Sequence, residues 1–326
     1  MSAKVSIYKE RVRRQRIEVF GTVAARLSPL DAVYRFSDTI DALVVDLFSP
    51  CLQETTDPIC LVAVGGYGRR EMCPYSDIDL LILRTSSNTR LLEKAIRDFW
   101  DTGLSIGCIS RTPDECASTL GQDLATDVSY LDSRYLAGDH TLFTRLEKSV
   151  IEPYFARRKR WFVDEMRAAL REGLFSSANT MYRTEPDLKN GICGLRDCQR
   201  LMWAERVRVS AMTPEDLRTL SGFTDAQYRH FRDAYSFLIG LRSQLHMICS
   251  GRRDVLETAL QPDVARRYNL GDAGARALME QFFHTVRHLR SILLSYLEKN
   301  EHGTSFWESL QWRIGATAVA PGIAVF

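Results

Sequence analysis

The sequence predicts an α+β protein in which a small mixed β-sheet is embedded in the N-terminal half and an all-helical domain follows. Three observations carry this. Apolar residues recur at helical spacing through roughly the first fifty positions. Between Cys60 and about residue 136 the pattern breaks into short apolar runs bounded by Gly and Pro. From about residue 145 helical spacing returns and persists. A chain of 326 residues is long for one domain, and the expected divisions are a helical segment at 1–57, a sheet-bearing domain at 58–145 and a helical domain at 146–326.

The elements follow in order. Ser28-Pro29 interrupts the first helical stretch, and Ala32 to Leu47 resumes it with Leu43, Val44 and Leu47 near one face. Pro50 and Pro58 are expected to bracket a loop. Leu61-Val62-Ala63-Val64 reads as a buried strand running into a tight Gly65-Gly66 turn, and Ile78 to Leu83 as a second strand. Residues 89–100 carry Leu92, Ala95, Ile96 and Phe99 on one helical stripe. Ser105 to Arg111 and residues 129–136 read as further strands. In the second half, Thr224-x-x-Gln227 forms a capping box that opens a helix bearing Phe231, Tyr235, Leu238, Leu241, Leu245 and Ile248. Cys249-Ser250-Gly251 ends it, and another helix carries Leu278, Phe282, Val286, Leu289 and Leu293.

Composition excludes several classes. A hydrophobic fraction of 45% with 10% aromatics argues against disorder. Lys and Arg number 43 against 41 Asp and Glu, so no global charge attracts nucleic acid or an anionic membrane. The basic run Arg157-Arg158-Lys159-Arg160 reads as a solvated linker. The longest apolar candidate, Ile314 to Phe326, is too short to span a bilayer and contains Pro321 and Gly322, and the N-terminus lacks an apolar signal core; a cytoplasmic chain is expected. The eight cysteines include no CxxC pair and read as free residues, mostly of the core. His284 and His288 lie four apart beside Arg287 and Arg290, which reads as a polar helix face rather than a metal site.

The chemistry concentrates in Val64-Gly65-Gly66-Tyr67-Gly68-Arg69-Arg70-Glu71-Met72-Cys73-Pro74-Tyr75-Ser76-Asp77-Ile78-Asp79-Leu80. A strand ending in two glycines lets backbone approach a ligand, and the freed amides of the turn can meet phosphate oxygens. Asp77 and Asp79 are two apart at the mouth of a strand, so both leave one face of the sheet. Two carboxylates converging there suit Mg²⁺, which takes oxygen ligands and shares them with substrate phosphates.

The segment resembles the nucleotidyltransferase signature of the DNA polymerase β superfamily. Its fuller wording resembles the bacterial bifunctional uridylyltransferase/uridylyl-removing enzymes that modify the PII regulatory protein. Further similarity lies in Leu104 to Thr112 with Glu115-Cys116 after Trp100-Asp101, in Tyr130 to Asp139, in Glu185-Pro186-Asp187-Leu188-Lys189-Asn190-Gly191-Ile192-Cys193-Gly194-Leu195-Arg196-Asp197, and in Arg242 to Gln261. The resemblance implies a polymerase β-like nucleotidyltransferase domain at 58–145, joined to a helical uridylyltransferase-associated domain at 146–326. It implies Mg²⁺-dependent transfer of UMP from UTP to a tyrosine of PII with release of pyrophosphate, and no nucleic-acid or membrane partner. Gly65 and Gly66 are then expected to cradle the triphosphate and Ser76 to touch a phosphate. Asp77 and Asp79 are expected to hold Mg²⁺, with a third carboxylate at Asp132, or at its rival Asp127. Arg69 reads as a phosphate contact or a surface charge, as does Arg70, and Lys189 and Arg196 are expected to close over the nucleotide.

Two departures matter. Ile192-Cys193 stands where the family prefers Pro-Gly, and loss of that glycine is expected to close off a left-handed backbone conformation. The family enzymes also continue into an HD phosphohydrolase domain and two ACT domains. This sequence contains no His-Asp dipeptide, so uridylyl removal and glutamine sensing are expected to be missing, whether the chain is a fragment or a transferase-only form. Nothing in the motif reads the base. The alternatives are therefore transfer of another nucleotide, such as AMP, to another acceptor, or nucleotide binding without turnover.

Overall fold

The computed structural model describes residues 3–21, 27–54, 58–85, 90–102, 104–175, 182–209, 223–270 and 274–299, with the backbone of 317–320 and 323–325. Helix α1 (Ala3–Phe20) packs on α2 (Pro29–Glu54). Ser28 starts α2: its hydroxyl accepts the Asp31 N–H at 3.2 Å, ahead of Pro29, whose missing N–H costs nothing at a helix start. Phe36, Ile40, Leu43, Val44, Leu47 and Phe48 are buried along one face of α2. Pro50 does not open a loop, since the helix continues through it to Glu54. The carbonyl that Pro50 leaves without its usual partner, Asp46 O, accepts the Ser49 hydroxyl at 2.8 Å, and Pro50 lies near the helix end with its ring exposed.

Four strands follow: β1 (Ile59–Ala63), β2 (Ile78–Arg84), β3 (Ile106–Arg111) and β4 (Arg134–Gly138). They lie in the order β3-β2-β1-β4, with β2 and β3 parallel and the other pairs antiparallel. All five residues of β1 are buried, as an unbroken apolar run at the middle of a covered sheet requires. A single helical turn, α3 (Gly65–Gly68), follows β1 directly. Helix α4 (Arg90–Asp101) makes the crossover from β2 to parallel β3. After β3 come α5 (Pro113–Thr119), opened by a Thr112/Glu115 capping box, and α6 (Leu124–Leu131). The strand expected at 129–136 is therefore a helix end followed by a strand. The Asp123 carboxylate accepts the Thr126 N–H at 2.7 Å and starts a helix that runs to Leu131, and the chain extends only from Arg134.

Helix α7 (His140–Arg145), a π-helical turn (Leu146–Ile151) and α8 (Glu152–Phe175) form one uninterrupted helical run across the position where a boundary was expected. The basic run at 157–160 is thus an exposed face of α8 and not a linker, and Arg158 lies over the Tyr154 and Trp161 rings, at 5.1 and 5.7 Å. Helix α9 (Leu195–Val209) packs along α8. Helix α10 (Asp225–Cys249) opens with the expected Thr224/Gln227 box and ends at Ser250, which turns left-handed at φ 48°. A 3₁₀ turn (Thr258–Leu260), α11 (Gln261–Arg267) and α12 (Gly274–Lys299) complete the helical part. A hairpin, β5 (Thr317–Ala320) with β6 (Ile323–Val325), departs from the all-helical expectation for this half. All eight cysteines are free, and six of them are buried. Among the described residues no helix is long and apolar enough to cross a membrane.

Candidate active site

The site begins where β1 ends. Gly65 takes φ +58°, a conformation costly for any residue with a Cβ, and this turns α3 back over β2. A Cβ at Gly65 would also stand 3.5 Å from Asp79 Oδ2. On the other side, the parallel register sets Gly107 of β3 beside Asp79, and a Cβ there would press to 2.9 Å from Oδ1. Two glycines, one from each neighbouring segment, leave the space in which the Asp79 carboxylate stands. Asp77 sits just before β2, where its Oδ1 accepts the Ser105 hydroxyl at 2.6 Å and its Oδ2 pairs with Arg252. Burial first, and then the Asp77 charge, push the Asp79 carboxyl up to about 6, against Lys189, Arg252 and Arg69.

Facing these carboxylates is the loop before α9. Asp187 Oδ1 accepts the Lys189 and Asn190 amides at 2.8 Å each, folding residues 187–190 into a tight turn. The segment is fastened to residues 254–256 by Leu188 N–H to Asp254 O at 2.8 Å and Leu256 N–H to Pro186 O at 2.9 Å. Arg196 N–H donates to Lys189 O at 2.8 Å, bringing the two expected cations together. The left-handed conformation expected to be closed off at Cys193 is retained: this residue itself adopts φ 56°, is fully buried, and donates its amide to Asp197 Oδ2 at 2.9 Å. Between carboxylates and loop lies a cavity of about 650 Å³ lined by Gly65, Gly66, Ser76, Asp77 and Asp79 on one side and by Lys189, Arg196, Arg242 and Arg252 on the other. Burial and then the Arg242 charge lower the Lys189 ammonium, and burial and then Arg69 lower Arg196. Asp254 is the local counter-charge. Burial opposes its ionisation, but His246 and Arg242 hold it well below the usual carboxylate range.

The remaining expected residues divide. Ser76 lines the cavity while its Oγ accepts the Cys73 amide at 3.1 Å. Gly66 also lines it, and a Cβ there would meet nothing nearer than Arg69 Nη2 at 3.8 Å, so packing does not demand glycine. Arg69 is 17% exposed and lines the cavity, bonded to Glu71 at 2.8 Å and to Asp132, with its guanidinium 5.6 Å from the Trp203 ring; it is no free surface charge. Arg70 turns away to pair with Asp38. Asp132 lines the same cavity as Asp77 and Asp79, but its oxygens are taken up by neighbouring donors. It caps the C-terminus of α6, is 3% exposed, and both its oxygens accept Trp203 Nε1 at 3.0 Å, with Arg69 bonded to one of them. Asp127 is equally committed, to Gly121 N–H at 2.8 Å and Tyr154 Oη at 2.7 Å. Among the described residues no three His, Cys, Asp or Glu side chains group as a ready metal site.

Glu71, Gly107, Arg242 and Arg252 complete the site and were not singled out from sequence. Glu71 accepts Tyr235 Oη at 2.6 Å and Gln199 Nε2 at 3.4 Å, tying the glycine turn to α10 and α9. Its position two residues after Arg69 in the glycine motif was the available signal.

Residues 163–295 match the family model described as GlnD PII-uridylyltransferase. This region belongs to that family. Similarity to curated proteins reaches well beyond these residues. A bifunctional uridylyltransferase/uridylyl-removing enzyme of Burkholderia thailandensis is 32% identical over 286 residues, covering 84% of this chain and 32% of the relative. One from Caulobacter vibrioides is 33% identical over 228 residues, covering 69% of this chain and 24% of the relative. The chain thus spans about a third or less of the length of these curated relatives. A match over 84% of the chain necessarily takes in both the 64–80 segment and the 186–197 loop.

Proposed function

We propose that this chain is a Mg²⁺-dependent nucleotidyltransferase that moves UMP from UTP to a tyrosine hydroxyl of a PII-type regulatory protein. The observation that carries the reading is the cavity in which Asp77 and Asp79 face Lys189, Arg196, Arg242 and Arg252 across a glycine turn. Acidic groups alone would repel a triphosphate, and basic groups alone would bind it without supporting transfer. The activity for which the relatives are named supplies the uridylyl group, and the family supplies the PII acceptor.

The donor set fits the cation. Asp77 and Asp79 offer only oxygen ligands, as Mg²⁺ prefers, and burial with the neighbouring Asp77 charge makes the ionised Asp79 costly until a cation offsets it. When bound there, the cation supplies neutralisation of phosphate charge and activation of an attacking oxygen. The chain's own groups do the positioning. Lys189, Arg196 and Arg242 draw the β- and γ-phosphates toward the helical wall, and the amides of α3 approach from the glycine side. The acceptor tyrosine oxygen then forms a bond to the α-phosphorus opposite the bond to the departing pyrophosphate, and the phenolic proton leaves to solvent.

The test mixes the chain with a PII-type protein, Mg²⁺ and each of UTP, ATP, CTP and GTP, and reads the intact mass of the acceptor. A gain of one UMP with UTP alone is expected. A gain with another nucleotide instead overturns the uridylyl assignment, and no gain with any of the four overturns the transferase reading for this acceptor.

A further inference from the structure

Arg252 stands between two carboxylates. Its Nη1 is paired with Asp77 Oδ2, and its Nε lies 3.9 Å from Asp254 Oδ2. The backbone around it is fastened by the Leu188–Asp254 and Leu256–Pro186 hydrogen bonds. Asp254 is already engaged by Arg242 Nε at 2.6 Å, with His246 Nε2 at 3.7 Å. The Arg252 side chain remains 48% exposed and free to turn from a fixed base. Since Ser105 occupies the other Asp77 oxygen, each Asp77 oxygen has a protein partner.

We infer that Arg252 is an exchangeable counter-charge, holding Asp77 until a divalent cation takes that carboxylate and then turning its guanidinium to the triphosphate. This rests on the reading of Asp77 and Asp79 as a cation site, and deepens it. A guanidinium and a divalent cation compete for Asp77 Oδ2, because two positive charges at one oxygen repel. The pair between them is partly exposed, and such pairs are weak enough to exchange. Once displaced, Arg252 keeps Asp254 beside it, which Arg242 already neutralises, while Lys189, Arg196 and Arg242 line the same cavity. An anion relieves that surplus of positive charge, so cation and nucleotide load together. The exchange involves no covalent step.

The test uses the full chain and Mn²⁺ as probe, with bound ion measured by electron paramagnetic resonance and UTP binding measured at saturating Mn²⁺ without acceptor. Arg252→Gln is expected to bind Mn²⁺ alone roughly threefold to fivefold more tightly than the parent, from loss of a competing exposed ion pair. The same variant is expected to bind UTP roughly tenfold more weakly, from loss of one charged phosphate contact. Arg252→Lys should return both affinities part of the way. Asp79→Asn, which should lose Mn²⁺, checks the site itself. If Asp79→Asn loses Mn²⁺ but Arg252→Gln binds it no more tightly than the parent, the exchange is overturned and the cation site stands. If both affinities of Arg252→Gln fall together, its role is structural and the exchange is overturned. If the parent and Asp79→Asn bind Mn²⁺ alike, the cation site falls and the exchange with it.

Discussion

The Trp203 indole N–H reaches both carboxylate oxygens of Asp132, 3.0 Å from each, in the buried contact between α9 and the end of α6. That contact commits Asp132 to the architecture around Arg69. Asp132→Ala leaves Arg69 with Glu71 alone and strips Arg206 of a carboxylate 3.7 Å away. Loss of one member of a buried charged cluster is expected to cost about 3–5 kcal/mol in urea unfolding. The milder Asp132→Asn is expected to keep Mn²⁺ affinity at the parent value. A parent-like stability with Mn²⁺ binding abolished would instead make Asp132 a metal ligand.

Asp79→Asn is expected to reduce transfer by roughly a thousandfold or more while stabilising the metal-free protein. The sign follows from a folded-state carboxyl raised from 3.8 to about 6, by burial and then by Asp77. Stability from a raised carboxyl is fully present below the unfolded value and is lost as pH rises through the folded one. At pH 7.5 in EDTA the ionised Asp79 is therefore a liability of about 2–3 kcal/mol. The advantage of Asp79→Asn should shrink between about pH 6 and pH 3.8. Urea titrations of both proteins across that window check it, and a pH-independent difference would contradict it.

Gly107→Ala is expected to fold and yet to bind Mn²⁺ about tenfold more weakly, because the new Cβ presses to 2.9 Å from Asp79 Oδ1 and turns the carboxylate. Mn²⁺ titration alongside thermal melting separates the two effects. Unchanged affinity in a folded variant would mean that Asp79 has room to spare.

Cys193 tests the backbone of the cationic loop. Cys193→Val places a β-branched side chain at φ 56° and should lower unfolding stability by about 2 kcal/mol. Cys193→Gly removes the strain but also a buried side chain, two opposed effects near 1 kcal/mol, so it should stay within about 1 kcal/mol of the parent. Equal stability of the two variants would contradict a left-handed Cys193.

Much of this arrangement was legible in the sequence. The apolar run 61–64, the Gly65-Gly66 break and the acidic pair before Leu80 gave β1, the turn and β2, because each is set by local chemistry within a few residues. The Thr224/Gln227 box was legible for the same reason. Asp132 was read on a strand because Leu131-Asp132-Ser133 has no helical signature of its own; the deciding signal, the Asp123 cap, lies nine residues upstream. Pro50 misled because it falls in the last turns of the helix, where the Ser49 hydroxyl takes up the carbonyl it orphans. Glu71 carried a signal in the glycine motif, but Gly107, Arg242 and Arg252 could not be singled out, since their roles come from partners brought together by the sheet register and the loop pairing. A half-buried arginine and a surface arginine are identical as letters.

Asp77 and Arg252 meet although they lie 175 positions apart in the chain. The glycine-turn segment and the 250–257 loop therefore meet in space as two halves of one charged contact. Chimaeras that exchange only one of these segments between related proteins would pair an acid with a foreign base, so a recombination library should move both together or neither.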